Sequence, residues 1–314
     1  MTGSLLAIQI AGAQTESGSS SGARALDESR SGVIDSVAPT KPEAAAVVAV
    51  DGKNTKAVVV EETADKWWSV FASTGWDSLY MFRGVNVLGN GNGLYWASGG
   101  LGITPWENGS FNANIWYGVG SWWNGANAQA RYGEVDLTAS YTHTFDDLSL
   151  TAGWIYYYYP SLGKRSQNEI FFGASYAIEI GKFTLTPNTT YYYNVGPELG
   201  TTGGIANGGS SYWSLGLSGS LPIGFDGAVS LAPYTQFNIN FGFNNKDKGL
   251  VRTNGGNNWQ TGVALPVAFT SWLTVSPYIA YSYQWNSFAT TLGKGTGYTA
   301  VNTFWGGISA TVTF

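Results

Sequence analysis

Between Glu134 and Pro160 the chain reads EVDLTASYTHTFDDLSLTAGWIYYYYP, and its apolar residues return at every second position. Val135, Leu137, Ala139, Tyr141 and Phe145 share one parity, while Glu134, Asp136, Thr138, Ser140, Thr142 and Thr144 share the other. A period of two belongs to an extended strand with one apolar and one polar face. After Asp146-Asp147 the alternation resumes, with Leu148, Leu150, Ala152, Trp154, Tyr156 and Tyr158 set against Ser149, Thr151, Gly153, Tyr157 and Tyr159. A two-residue turn would pair Phe145 with Leu148 and bring both apolar sets to one face, as a stable register requires.

The same pattern recurs from Trp67 to Phe314. Strands are predicted near 68–88, 93–103, 110–121, 131–145, 148–159, 168–180, 183–195, 211–221, 227–243, 258–269, 273–286 and 302–314, twelve in all. Gly/Asn-rich connectors such as 196–210, 244–257 and 286–301 alternate with tight ones such as Asp146-Asp147, Gly181-Lys182 and 270–272. An even number of alternating strands, with long loops on one side and tight turns on the other, predicts an all-β fold. The expectation is a twelve-stranded antiparallel transmembrane β-barrel with short periplasmic turns and long extracellular loops.

Alternation alone does not say which face looks inward; charge does. Residues 67–314 carry nine basic and eleven acidic side chains, roughly 8% of positions against the 25–35% usual for a water-facing surface. The polar face is mostly Gly, Ser, Thr and Asn with aromatics, so the apolar face is the one turned to a lipid bilayer. Aromatics at segment ends fit two interfacial girdles: Trp68, Trp106, Phe145, Phe183 and Phe269 near the tight turns, and Tyr156, Tyr158, Tyr193, Trp213, Trp259 and Trp285 near the long connectors. Leu137, Ala139, Leu150, Leu215, Leu217, Ile279 and Ile308 are expected between them, against lipid.

The formal net charge of −5 gives no basic patch for nucleic acid, and no apolar run approaches the roughly 20 residues of a spanning helix. Residues 1–13 look like the end of a secretory signal: Leu5–Ile10 is apolar and Ala11-Gly12-Ala13 has the small-x-small form of a cleavage site. Residues 14–66 are rich in Ser, Gly, Ala and mixed charge, and are expected to form a disordered periplasmic linker. The β-branched runs at 47–50 and 58–60, around Asp51-Gly52-Lys53-Asn54, leave room there for a small hairpin docking at the barrel mouth or on a partner.

Tyr80-Met81-Phe82-Arg83-Gly84, Glu134-Val135-Asp136-Leu137 and Gly153-Trp154-Ile155-Tyr156-Tyr157-Tyr158-Tyr159-Pro160, with Glu169 opening the next strand, resemble the TorF-type porin family of Gram-negative bacteria. The likeness covers roughly residues 70–180. It implies an outer-membrane channel. The terminal Phe314 likewise resembles the signal by which such barrels engage the outer-membrane assembly machinery.

Parity places Asp77, Arg83, Glu134, Asp136, Glu169 and Glu179 in the lumen, together with Trp96, Trp116, Tyr157, Tyr159, Phe171, Tyr192, Tyr234, Tyr278 and Trp305. Twelve strands should enclose a narrow lumen, and these rings narrow it further. Pore-lining or constriction residues are expected to be Asp77, Arg83, Glu134, Asp136, Tyr157, Tyr159, Glu169 and Asn194. The two turns set Tyr157 opposite Asp136, Tyr159 opposite Glu134 and Asn194 opposite Glu169, with phenols able to donate to carboxylates. Interior charges need partners, so a bracing ladder of salt bridges stands beside the alternative of a charge filter with weak cation preference.

Enzymatic chemistry finds little support. A hydrolase would need a histidine beside a nucleophile near the outer rim, and the one histidine, His143, falls on the lipid-facing parity close to the Asp146-Asp147 turn. With no cysteine and a single histidine, no metal cluster competes, and no cofactor motif is present. The predicted activity is passive diffusion of small hydrophilic solutes through an outer-membrane channel. The alternative is a non-conducting barrel that anchors or displays adhesive loops.

Overall fold

The computed structural model describes residues 50–51, 54–55, 67–83, 85–86, 88, 92–120, 132–160, 165–196, 210–224, 227–243, 253–285 and 302–314. Twelve strands form the wall: β1 (Trp68–Asp77), β2 (Leu94–Trp106), β3 (Gly109–Gly120), β4 (Gly133–Phe145), β5 (Leu148–Tyr159), β6 (Arg165–Tyr176), β7 (Phe183–Gly196), β8 (Ser211–Gly224), β9 (Val229–Phe243), β10 (Thr253–Ala264), β11 (Leu273–Gln284) and β12 (Thr303–Thr313). Ile178–Ile180 prolongs β6 and Val267–Ala268 prolongs β10. Each strand pairs antiparallel with the next, and β12 returns to β1 through Gly307–Asp77 to Thr313–Phe71. The sheet is therefore a closed barrel without edges, the only strand architecture whose backbone is satisfied in hydrocarbon.

The turns have the predicted chemistry. Phe145 pairs with Leu148 across Asp146-Asp147, and Asp146 adopts φ 51°. Ile180 pairs with Phe183 across Gly181-Lys182, with Gly181 at φ 65°. Two-residue hairpin turns need this left-handed backbone, which Gly and Asp tolerate best. The register is the expected one: Asp136 faces Tyr157 and Glu169 faces Asn194, while the Val135–Tyr158 pair sets Glu134 level with Tyr159.

Strands of 10–15 residues match or exceed the roughly 9–11 that cross a bilayer at a tilt. Their outward side chains form an apolar belt, with Leu101, Ile115, Leu137, Leu150, Leu217, Ile279 and Ile308 all exposed. Trp68, Trp106, Phe145 and Phe269 rim one end and Tyr193, Trp213, Trp259 and Trp285 the other. Inward positions are polar or aromatic. All nine rings assigned to the lumen by parity, from Trp96 to Trp305, are buried. An apolar outside around a polar inside is the arrangement of a membrane-spanning barrel.

The inward rings lie flat because glycine makes room for them. Phe71 pairs with Gly100, Trp96 with Gly75, Phe171 with Gly153, Tyr234 with Gly262 and Tyr278 with Gly307, each directly across the ladder. A Cβ on any of these glycines would meet the ring at 2.3–2.7 Å, well inside contact distance. Covering a strand glycine with a neighbouring ring is a known stabilising device. Gly153→Val is accordingly expected to destabilise the barrel by about 1–3 kcal/mol, the usual cost of overpacking. Urea unfolding in lipid vesicles checks this, and adding Phe171→Ala should recover part of the loss.

The first strand departs from expectation. A strand over 68–88 would run about 70 Å at 3.3 Å per residue, roughly twice what a bilayer accommodates. It ends at Asp77 instead, and residues 79–83 turn into the lumen, where Tyr80, Met81, Phe82 and Arg83 are all buried, both parities alike. Met81–Phe82 pairs with Val85–Asn86 in a small ladder separate from the wall. Arg83 is therefore not on a wall strand. Two smaller differences follow from bulges and proline: β10 begins at Thr253 rather than 258 and is interrupted at Leu265-Pro266, and only residues 160–164 join β5 to β6.

The predicted signal segment and most of the 14–66 linker lie outside the described residues. Within the region only a two-residue ladder is described, Val50–Asp51 against Asn54–Thr55.

Candidate functional site

Residues 79–83 span the lumen and are held at both sides. On one side Tyr80 donates its phenol to Glu134 Oε2 on β4 at 3.0 Å, and Tyr132, just before β4, donates to the same oxygen at close range. Arg83 Nη2 donates to Glu169 Oε2 on β6 at 3.1 Å, a salt bridge buried at both ends. The guanidinium also lies over the rings of Tyr212 on β8 (4.1 Å to the centroid) and Tyr192 on β7 (4.9 Å), with Phe82 beside it at 5.5 Å. On the other side Met81 packs into a cluster of Ala232, Tyr234, Ala264, Tyr278, Ala280 and Trp305 from β9 to β12. The alanines leave the space that the Met81 side chain fills.

The backbone of Arg83 shows that this arrangement is imposed. Arg83 has φ 39°, a left-handed conformation costing a non-glycine residue about 1–2 kcal/mol. The barrel wall must supply that energy, and the bonds of the guanidinium are the evident source, since hydrogen bonds to charged groups are worth roughly 1.5–3 kcal/mol each. Cation–π contacts add about 2 kcal/mol when desolvated.

The residues singled out from the sequence come together here. Arg83, Tyr157 and Glu169 belong to one bonded group, because Tyr157, wholly buried, donates to Glu169 Oε2 at 2.9 Å, and Glu134 holds the same segment through Tyr80. The phenol thus reaches the acid of the next strand rather than Asp136, which it faces in register. Asn194 is buried opposite Glu169, and its backbone N–H donates to Ser210 O at 3.0 Å. Asp136 and Tyr159 are buried on the same wall, set between Trp116 and Tyr157 and opposite Arg165 respectively. Asp77 stands apart at the root of the segment, where Tyr278 donates to it at 2.7 Å. Glu179 lies exposed at the tight-turn rim and accepts from Thr184 Oγ1 at 3.0 Å.

Arg83–Glu169 is a salt bridge across the lumen. Phenols also hold the carboxylates of Asp77, Glu134 and Glu169. They satisfy carboxylate oxygens as donors while adding no positive charge.

Sequence reasoning missed Tyr80, Tyr132 and Tyr212. Tyr132 and Tyr212 were accessible from parity, the first by counting back from Glu134 and the second as the neighbour of outward Trp213. Tyr80 was not, because its side chain enters the lumen from a segment that leaves the wall. His143 lies outside the lumen, with Tyr141 Oη 2.9 Å from its Nδ1 and Phe145 packed against its ring, as an interfacial histidine should.

No protein-family model matches the chain, and no curated protein matches it either. Among solved structures the barrel is similar to an outer membrane channel from Pseudomonas putida F1 (TM-score 0.48, 12% identity, covering 79% of this chain and 94% of that one). It is similar also to the translocator domain of the autotransporter NalP from Neisseria meningitidis (TM-score 0.45, 16% identity, 81% and 90%) and to the NanC porin (TM-score 0.45, 13% identity, 77% and 98%).

Proposed function

We propose that the protein is a passive channel of the bacterial outer membrane for small hydrophilic solutes, of the TorF-type porin class, with residues 79–83 as its constriction. The observation that carries this reading is a closed barrel whose polar interior is crossed by a segment fastened through specific polar bonds rather than filled by a uniform apolar core. Polar walls and a fastened crossing suit restricted passage. Phe314 is assigned to recognition by the outer-membrane assembly machinery.

Weak cation preference belongs to the same proposal. The inward acids Asp77, Glu134, Asp136 and Glu169 outnumber Arg83, the cation of the crossing segment, and phenols donate to three of them without adding positive charge. A net negative ring concentrates cations in a narrow pore. Reversal potentials in a salt gradient test it: the native protein should favour cations, and Glu134→Gln combined with Asp136→Asn should reduce the preference. Anion preference in the native protein, or an unchanged double variant, would remove the filter.

The second reading, a surface anchor without conductance, draws on the same segment, since four consecutive buried residues across a narrow lumen also describe a plug. Planar-bilayer recording separates the two. Stable single-channel steps are expected from the purified protein, and a silent, correctly folded barrel would favour the anchor.

A further inference from the structure

The surroundings of Arg83 are chemically complete as a receptor for a guanidinium group. Glu169 supplies a carboxylate buried to 1% exposure, Tyr157 fixes that carboxylate by donating to it, and the faces of Tyr212 and Tyr192 lie against the planar cation. A carboxylate that meets the N–H edge and aromatic faces that meet the plane are what a guanidinium selects over a spherical ion. All four residues stand on consecutive wall strands, β5 to β8, whose geometry the ladders fix without help from the crossing segment. Arg83, by contrast, arrives on a short segment with a strained backbone. The receptor belongs to the wall, and its occupant belongs to the segment.

We propose that Glu169, Tyr157, Tyr192 and Tyr212 form a guanidinium-binding site of the channel wall that the chain's own Arg83 occupies, and that small guanidinium solutes compete with Arg83 for it and release the crossing segment. Binding rests on the site geometry alone, whereas release as an increase in current rests also on the channel reading. Because Arg83 is tethered, it acts at an effective concentration in the millimolar range. A free guanidinium must therefore reach about tens of millimolar to displace it, and should bind at least tenfold more tightly once Arg83 is removed.

Methylguanidinium is the probe, and sodium at equal ionic strength the control. Its methyl protons report binding by saturation-transfer NMR on folded protein in detergent, independently of current. Three proteins are compared: native, Arg83→Met, and Arg83→Met with Glu169→Gln. Arg83→Lys serves in place of Arg83→Met should the latter not give the heat-modifiable folded form. The expected result is weak saturation transfer in the native protein, at least tenfold tighter binding in Arg83→Met, and loss of that gain in the double variant. In planar bilayers methylguanidinium should raise current through the native protein and block it in Arg83→Met, with sodium doing neither. Equal binding by all three proteins, or by none, would overturn the proposal. Binding as expected with no current from any of them would uphold the site and refute the channel.

Discussion

Glu169→Gln is expected to unseat the segment that crosses the lumen. The substitution keeps size and shape but removes the anion 3.1 Å from Arg83, whose side chain is buried to 4% exposure. Breaking a buried pair from one side costs about 3–5 kcal/mol, a load that then falls on anchors such as the Tyr80 phenol bond, the packing of Met81 and the Tyr192 and Tyr212 faces. The wall strands do not depend on this bond, so the barrel should stay closed while the segment swings free. Trypsin provides the readout, since cleavage after Arg83 is prevented in the native state by burial and should become rapid in the variant. Combining Glu169→Gln with Arg83→Met removes both charges and should restore a compact segment, judged by chymotrypsin at Tyr80 and Phe82. A Glu169→Gln protein as resistant to trypsin as the native one would show that the pair is not what holds the segment.

The second large effect lies on the opposite face of the wall. Leu137→Arg places a cation in the apolar belt, beside Ile115 on β3 and Tyr156 on β5. Such a change costs about 2–4 kcal/mol at the bilayer midplane, and the lower end suits a site two residues from the middle of β4. Folding yield and urea midpoints in lipid vesicles measure it. Asp136→Asn, one residue earlier but turned inward, should leave both almost unchanged. If Leu137→Arg folded into vesicles as well as the native chain, the outward assignment of this parity would be wrong.

That contrast between adjacent positions is what the sequence made legible. A barrel wall encodes its two faces residue by residue, so parity alone was enough to place Leu137 outward, Asp136 inward, and all nine lumen rings correctly. The tight turns then propagated register across strands, which is why Asn194 was matched to Glu169 from Gly181-Lys182. Parity has no purchase on a segment that leaves the sheet. Leu79, Tyr80, Met81 and Phe82 are apolar at both parities, and read as strand they merely look like a blurred alternation. The overlooked signal was length, since a strand of 21 residues has nowhere to go in a membrane. The pairing of Arg83 with an acid was anticipated from charge, but the aromatic faces of Tyr192 and Tyr212 around it depend on the crossing geometry and could not have been.

The position of the crossing segment in the chain also orders events in time. It leaves β1, yet its partners lie on β4, β6, β7 and β8 and on β9 through β12, the last of them Trp305, more than 220 residues downstream. The Met81 cluster includes Trp305 on β12, so this part of the fastening cannot be complete before β12 is in place. Full fastening of the segment is therefore expected late in maturation, since long-range contacts form slowly. A newly inserted barrel is thus expected to pass through an interval in which its wall is finished and its crossing segment is not yet fully fastened.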